Sequence, residues 1–257
     1  MRNRRILALV PEGQIPPDDL KGKSDQEISR WKMEYDVIAA LEELGHDVRL
    51  LDVRYDLAPI RQAVEDWKPH VVFNMLEEFH GIASFDQNVV AYLELLRTPY
   101  TGCNPRGLVL ARDKALAKKI LTYHRIRTPR FIVVPRGRKH RRLKLEFPLF
   151  VKSLIEDSSA GISQASIVQN EEQLEQRVAF IHDQVHSDAL VEEYVEGREL
   201  YLAVLGNIRL EAFPIWELDL AGLPEGAPRI ATQTVKFDVE YQKKHKIRTG
   251  KAKALPD

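Results

Sequence analysis

The sequence predicts an α/β chain with a parallel, doubly wound sheet over residues 1–104 and a more α+β arrangement after it. Three observations carry this. Strand-length apolar runs alternate with helical stripes up to residue 104, the punctuator Asn104-Pro-Arg-Gly107 then interrupts them, and after it strands follow one another with few helices between. At 257 residues the chain suits two domains, on a prior of about 150 residues each.

Ile6 to Val10 reads as a buried first strand. The basic start, Met1-Arg-Asn-Arg-Arg5, imitates the head of a signal peptide, but the apolar run after it stops at Pro11-Glu12 and is too short. Pro11 to Lys23 forms a loop at the carboxyl end of the sheet, where ligand-contacting loops usually sit. Glu27 to Leu44 places Ile28, Trp31, Tyr35, Ile38, Leu41 and Leu44 on one helical face, and Gly45 ends that helix. Asp47 to Leu51 and His70 to Met75 are further strands, separated by a helix over Ala58 to Trp67. Phe85 to Leu96 is a helix before Pro99-Tyr100. Such alternation calls for parallel strands.

Past the punctuator, Leu108 to Tyr123 is helical and Phe131 to Val134 is a strand. Arg136 to Lys144 is basic, either a solvated hairpin tip or a nucleic-acid patch; without interleaved aromatics the first reading is favoured. Strands over 148–153 and 162–168 flank a turn, a helix covers Glu171 to Asp183, and strands cover Ala189 to Glu193 and Leu200 to Leu205. Little apolar content follows Ile247, so the end is expected to fray.

Lys plus Arg and Asp plus Glu are both 38, so no global field draws nucleic acid or an anionic membrane, and any anion site must be local. No stretch approaches the 18 apolar residues of a membrane span. The single cysteine, Cys103, excludes an intramolecular disulfide and is expected to be a small buried hydrophobe. These features describe a soluble, cytoplasmic protein.

The most informative stretch is Phe147 to Ser163. Lys152 leaves an apolar strand directly before a hydroxyl-rich turn in which Ser158, Ser159 and Gly161 let backbone N–H groups approach anionic oxygens, a way of holding polyphosphate. A hairpin with a solvated lysine is the other reading of this segment. Glu192 and Glu199 read either as acceptors for a nucleoside or as solvated strand residues, and Lys114 either as a phosphate contact or as a surface helix residue. Glu77, Glu78 and His80 sit at a strand end beside the proposed cleft.

Taken in order, Asp113-Lys114, Lys152, the Glu156 to Ser163 turn, Glu192-Glu-Tyr-Val195 and Gly197-Arg-Glu199 resemble the ATP-grasp superfamily, and within it the D-alanine:D-alanine ligase-like branch. Phe73 to Gly81 and Thr98-Pro-Tyr-Thr-Gly102 match that branch's His-Gly loop and strand end, so the resemblance spans residues 70–245. It implies a Rossmann-like pre-ATP-grasp domain over 1–104, a central lid subdomain over 105–188 and a partial C-terminal subdomain over 189–257. It implies ATP with Mg²⁺: Lys114 and Lys152 on the phosphates from two sides, Ser158, Ser159 and Gly161 as a lid, Lys236 as a further phosphate contact. Glu192, the Tyr194-Val195 backbone and Glu199 would hold the nucleoside. The partners implied are ATP and small carboxylate and amine substrates, with neither nucleic acid nor membrane; a homodimer is left open. Glu12 could anchor the amine, and His80 either organises its loop or touches substrate.

Two departures matter. The family's metal ligands are an aspartate, then a glutamate and an asparagine on late strands; Glu217, Asp219 and Glu240 lack that context, so no metal ligand is assigned and the last subdomain is expected to be incomplete. The loop after the first strand, Pro11-Glu-Gly-Gln-Ile-Pro-Pro17, lacks the Gly-Gly-x-Ser pattern of D-alanine ligases. The resemblance thus implies a carboxylate–amine ligase working through an acyl phosphate, or a fragment of one. The alternatives are a nucleotide-binding module without catalysis and an unrelated α/β binding protein.

Overall fold

The computed structural model describes residues 3–138, 144–157 and 159–255. The chain divides into two compact units, Met1–Leu116 and Ala117–Asp257.

The first unit is built on β1 (Arg5–Pro11), whose Ile6 to Val10 are all at most 4% exposed. It pairs in parallel with β2 (Asp47–Val53) on one side and β3 (Val71–Asn74) on the other, giving the order β2-β1-β3. A strand in this position is covered on both faces, hence its unbroken apolar run. Leu7 and Leu9 pack with Ile60 of α3 (Ala58–Trp67) and with Val89 and Leu93 of α4 (Asp86–Leu95), whereas Ala8 and Val10 pack with Met75 and Val37 of α2 (Lys32–Glu43).

The helix expected over Glu27 to Leu44 is two helices. Ser24 opens the four-residue α1 (Asp25–Ile28) through a capping box with Glu27. The chain then breaks at Trp31, whose indole donates to the Gly13 carbonyl at 3.4 Å and lies 5.5 Å from the Lys23 ammonium. The aromatic thus pins the loop after β1 instead of continuing the helical stripe. Gly45 closes α2 at φ +81°, with its N–H and that of His46 donating back to Glu42 and Leu41, as a left-handed C-terminal cap requires.

Asn104, in the expected boundary tetrapeptide, caps α5 (Pro105–Arg112) by accepting from the Gly107 N–H at 2.8 Å. The helix expected over Leu108 to Tyr123 is interrupted at Asp113. Its carboxylate accepts from the Leu116 N–H at 2.9 Å, and α6 (Lys114–Tyr123) starts afresh there. Cys103 is exposed, not buried as expected. It lies in the turn ahead of the Asn104 cap, against Gly107.

In the second unit, β4 (Phe131–Val134), β5 (Leu149–Ser153), β6 (Ile167–Val168) and β7 (Ala189–Glu193) form an antiparallel sheet in the order β4-β7-β5-β6. Leu149 and Val151 pack with Leu174, Val178 and Ile181 of α7 (Glu171–Gln184), so Phe150 and Lys152 take the opposite face by the period of two. The strand expected over 162–168 is only β6, because Ser163 and Ser166 bond reciprocally and close a 3₁₀ turn. The strand expected over Leu200 to Leu205 divides into β8 (Glu199–Tyr201) and β9 (Val204–Leu205). The former pairs with β11 (Trp216–Asp219), the latter with β10 (Glu211–Ala212). Toward the end lie α8 (Gln233–Phe237), α9 (Val239–His245) and β12 (Arg248–Lys251); β12, in the stretch after Ile247 expected to fray, pairs with β11. Val235 and Ile247 pack there with Leu218, Leu220 and Leu223. Among the described residues no helix is long and apolar enough to cross a membrane.

Within the first unit, the Arg112 guanidinium joins α5 to the Asp86 carboxylate at 2.5 Å and to the Glu77 carbonyl at 3.2 Å, with Asp86 only 4% exposed. Breaking a buried pair of this kind costs about 3–5 kcal/mol. Asp86→Ala should lower the stability of the first unit by that amount in urea unfolding, with α4 and α5 losing amide protection together.

Candidate functional site

The second unit gathers three charges on the sheet face opposite α7. Lys152 of β5 and Glu192 of β7 share that face, since Lys152 pairs with Leu190 and Phe150 with Glu192. The Glu192 carboxylate receives the Lys152 ammonium on one oxygen at 2.5 Å and the Lys118 ammonium on the other at 2.7 Å. Lys118, from α6, also donates to the Thr128 hydroxyl at 2.6 Å. Glu192 and Lys118 are buried, while the Lys152 side chain keeps 23% of its surface. Lys152 is therefore the open end of the cluster. Lys118 escaped the sequence reading; its signal was a lysine three residues after the buried Ala115 on the inner stripe of a helix. Two ammonium groups against one carboxylate leave one positive charge at the open end.

The turn after β5 is tied at both sides. Ser153 Oγ accepts from the N–H groups of Ile155 and Glu156 at 3.2 and 2.9 Å. Ser159 takes a left-handed φ of +63°, and its hydroxyl donates to the Ala231 carbonyl at 2.8 Å. Gly161, at φ +69°, packs so closely on α7 that an added Cβ would lie 2.8 Å from Val185 Cγ2. Ser158, expected beside them, lies outside the described residues. Lys236 is half-buried on α8, whose Thr232 cap follows the Ala231 carbonyl that Ser159 binds.

Beyond β7 the Tyr194 N–H donates to the Pro148 carbonyl at 3.1 Å, and burial pushes the Tyr194 phenol up. Val195 is exposed. Glu199, on β8 opposite Leu218, lines a cleft of about 410 Å³ with Arg198, Glu217, Asp219, Arg229 and Lys253; Lys152 and Glu192 do not border it. Arg198 reaches both oxygens of Glu217 at 2.7 Å and holds that carboxyl down to about 2. Among the described residues no three His, Cys, Asp or Glu side chains converge as ligands for a metal ion.

In the first unit, Glu12 and His80 meet in a cleft of about 520 Å³ at the carboxyl ends of β1 and β2, with Gln14, Tyr55 and Glu78 on its wall. Arg54, which sequence reasoning missed, joins them. Its guanidinium pairs with Glu12 at 2.5 Å, and its carbonyl accepts from the His80 N–H at 3.1 Å, holding His80 at φ +59°. The Tyr55 ring lies 5.9 Å from the His80 ring. Lys114 opens α6 with a half-buried side chain.

The family model described as D-ala D-ala ligase C-terminus matches residues 121–250. An uncharacterized protein y4sG of Sinorhizobium fredii is 36% identical over 189 residues, 72% of this chain and 55% of that protein. A D-alanine–D-alanine ligase of Syntrophotalea carbinolica is 39% identical over 168 residues, 65% of this chain and 51% of the ligase. The chain spans about half the length of these relatives. Among solved structures, D-alanine–D-alanine ligase from Bacillus anthracis complexed with ATP superposes with a TM-score of 0.62 over 95% of this chain and 78% of that one. At 21% identity this is a likeness of fold.

Removing Glu192 leaves the buried Lys118 ammonium without its counter-charge and facing a second cation, Lys152. Glu192→Ala should destabilise the second unit by about 3–5 kcal/mol, read from denaturant midpoints, while Arg130→Ala, at an exposed pair with Glu193, should change them little. The depressed Glu217 carboxyl contributes stability above pH 4.5, its ordinary value, that is lost as pH falls toward about 2. Glu217→Gln should flatten the acid limb of an unfolding profile across that window.

Proposed function

Because the chain belongs to the D-alanine–D-alanine ligase family, matched by that family's C-terminal model over residues 121–250, we propose that it serves ATP-dependent joining of a small carboxylate to an amine. The observation that carries this is the buried Lys118–Glu192–Lys152 cluster, which holds an ammonium at the sheet face with one unbalanced positive charge. A cation about 4 Å from a phosphate gains about 1 kcal/mol in water and several times that where water is excluded. The ion pair with Glu192 restrains the Lys152 ammonium, so less ordering is left for the nucleotide to impose.

In this reading the triphosphate lies against Lys152, with Lys114 and Lys236 as further cationic contacts and the turn of Ser158, Ser159 and Gly161 above it. The chain from Glu192 through Val195 runs along the adenine edge, and Glu199 accepts from the ribose hydroxyls once it turns out of the cleft it lines with Arg198 and Glu217. The substrate carboxylate attacks the γ-phosphorus as the bond to ADP breaks, giving an acyl phosphate. The amine then attacks the acyl carbon, phosphate leaves, and the amine gives up a proton. The cleft of Glu12, Arg54 and His80 has the chemistry for a zwitterion, with a carboxylate for its ammonium and a guanidinium for its carboxylate. The three-part organisation of 1–104, 105–188 and 189–257 belongs to the same reading. So does action in the cytoplasm, where ATP is supplied.

Magnesium accompanies ATP in such reactions, but the described residues supply no convergent ligand set for it, and no step above passes through a metal held by this chain. The alternative reading is a module that binds nucleotide without turning it over.

Melting with and without MgATP tests the binding. Ligand at 100 times its dissociation constant should add about 2.7 kcal/mol, and Lys152→Ala should lose most of that gain. An unchanged wild-type transition would remove the nucleotide site, and a full gain in the variant would remove Lys152 from it. Release of ADP and phosphate that depends on both a carboxylate and an amine separates the ligase from the module.

A further inference from the structure

Arg177 lies on the inner face of α7, is 6% exposed, and has no acidic partner among the described residues. A buried charge without a counter-charge is costly and calls for compensation. Burial indeed pushes this guanidinium below its ordinary range. Its compensation is polar and local. Nη2 donates to the Gly161 carbonyl and, at 2.8 Å, to the Ser166 hydroxyl; the group lies 4.4 Å from the centre of the Phe180 ring, and Nε is buried without a partner.

Both acceptors belong to the segment between β5 and β6. Ser166 Oγ also accepts from the Ser163 N–H at 3.1 Å, so one guanidinium reaches the turn at 161 and the closure of the 3₁₀ turn after it. The peptide joining Gly161 to Ile162 is held at both poles: its carbonyl by Arg177, its N–H by the Ser159 carbonyl at 2.9 Å. The sign of φ alternates across Ser159, Ala160 and Gly161, and the Ala160, Ile162 and Ser163 N–H groups donate to Asp157, Ser159 and Ser166, so the turn is fixed in shape by bonds within it.

We infer that Arg177 is a positioning residue for the phosphate-binding turn: it holds the backbone of residues 159–163 in shape from behind and does not itself touch nucleotide. This role rests on the nucleotide reading above. It explains a buried arginine on a helix whose other buried residues are the apolar Leu174, Val178 and Ile181 and His182, which bonds the Val134 carbonyl of β4 instead.

The test is calorimetric titration of the whole chain with MgATP and, separately, with adenosine, which shares the nucleoside and lacks the phosphates. Arg177→Met should weaken MgATP about tenfold or more, the worth of a hydrogen bond to a charged group, and leave adenosine affinity unchanged. Arg177→Lys, which keeps the charge and a donor, should recover part of the loss. Amide exchange at 159–163 should quicken in the Met variant while β5 and β7 keep their protection. Equal loss for both ligands would show a general structural role and overturn the proposal, as would unchanged MgATP affinity in a variant whose wild type binds. Wild-type protein that binds adenosine and MgATP equally, or neither, would remove the nucleotide reading and this role with it. Should the Met variant not fold, the same comparison is made on Arg177→Lys, where retention of full MgATP selectivity and loss of the amide protection together would count against the role.

Discussion

One carboxylate between two ammonium groups organises the second unit. Glu192 sits on a central strand with both oxygens engaged, and the strand and helix that supply the lysines are far apart in sequence. A charge so placed tolerates little rearrangement, because losing either partner strands the others in a poor solvent. The cluster joins α6 to the sheet and leaves Lys152 as the member of the three that keeps access to solvent.

The turn after β5 is held on a similar principle by neutral groups. Carbonyls and hydroxyls take the bonds, glycine supplies a left-handed conformation in a place where a side chain would strike Val185, and Arg177 anchors the assembly from α7. A turn fixed on its protein side keeps its remaining face for something else. The first unit shows the complementary arrangement: its cleft lies where parallel strands end, and the chain after each strand contributes a polar residue, Glu12 after β1 and Arg54 after β2.

Much of the fold was legible because burial and period leave direct marks. The run from Ile6 to Val10 has the length and unbroken apolar character of a strand covered on both faces, and the helix expected over Ala58 to Trp67 has those bounds, with Pro59 in its first turn and Lys68 left-handed after its last. The errors have equally specific causes. Trp31 and Asp113 sit in otherwise continuous helical patterns, yet each has a competing bond that breaks the helix. Cys103 looked like a core residue by type, but its turn leads into a cap and lies at the surface.

The sequence by itself determined the alternation of strands and helices, the polarity of each face, and the ordered set of lysines, serines and glutamates whose resemblance led to the family. It could not say that both oxygens of Glu192 would be taken by Lys152 and Lys118, that Ser159 would turn its hydroxyl to Ala231, or that Glu199 would face a cleft the lysines do not border. Those facts depend on which distant residues become neighbours. Periodicity reports only the direction a side chain leaves its own strand or helix, and the partner it meets is decided by strand order and helix packing.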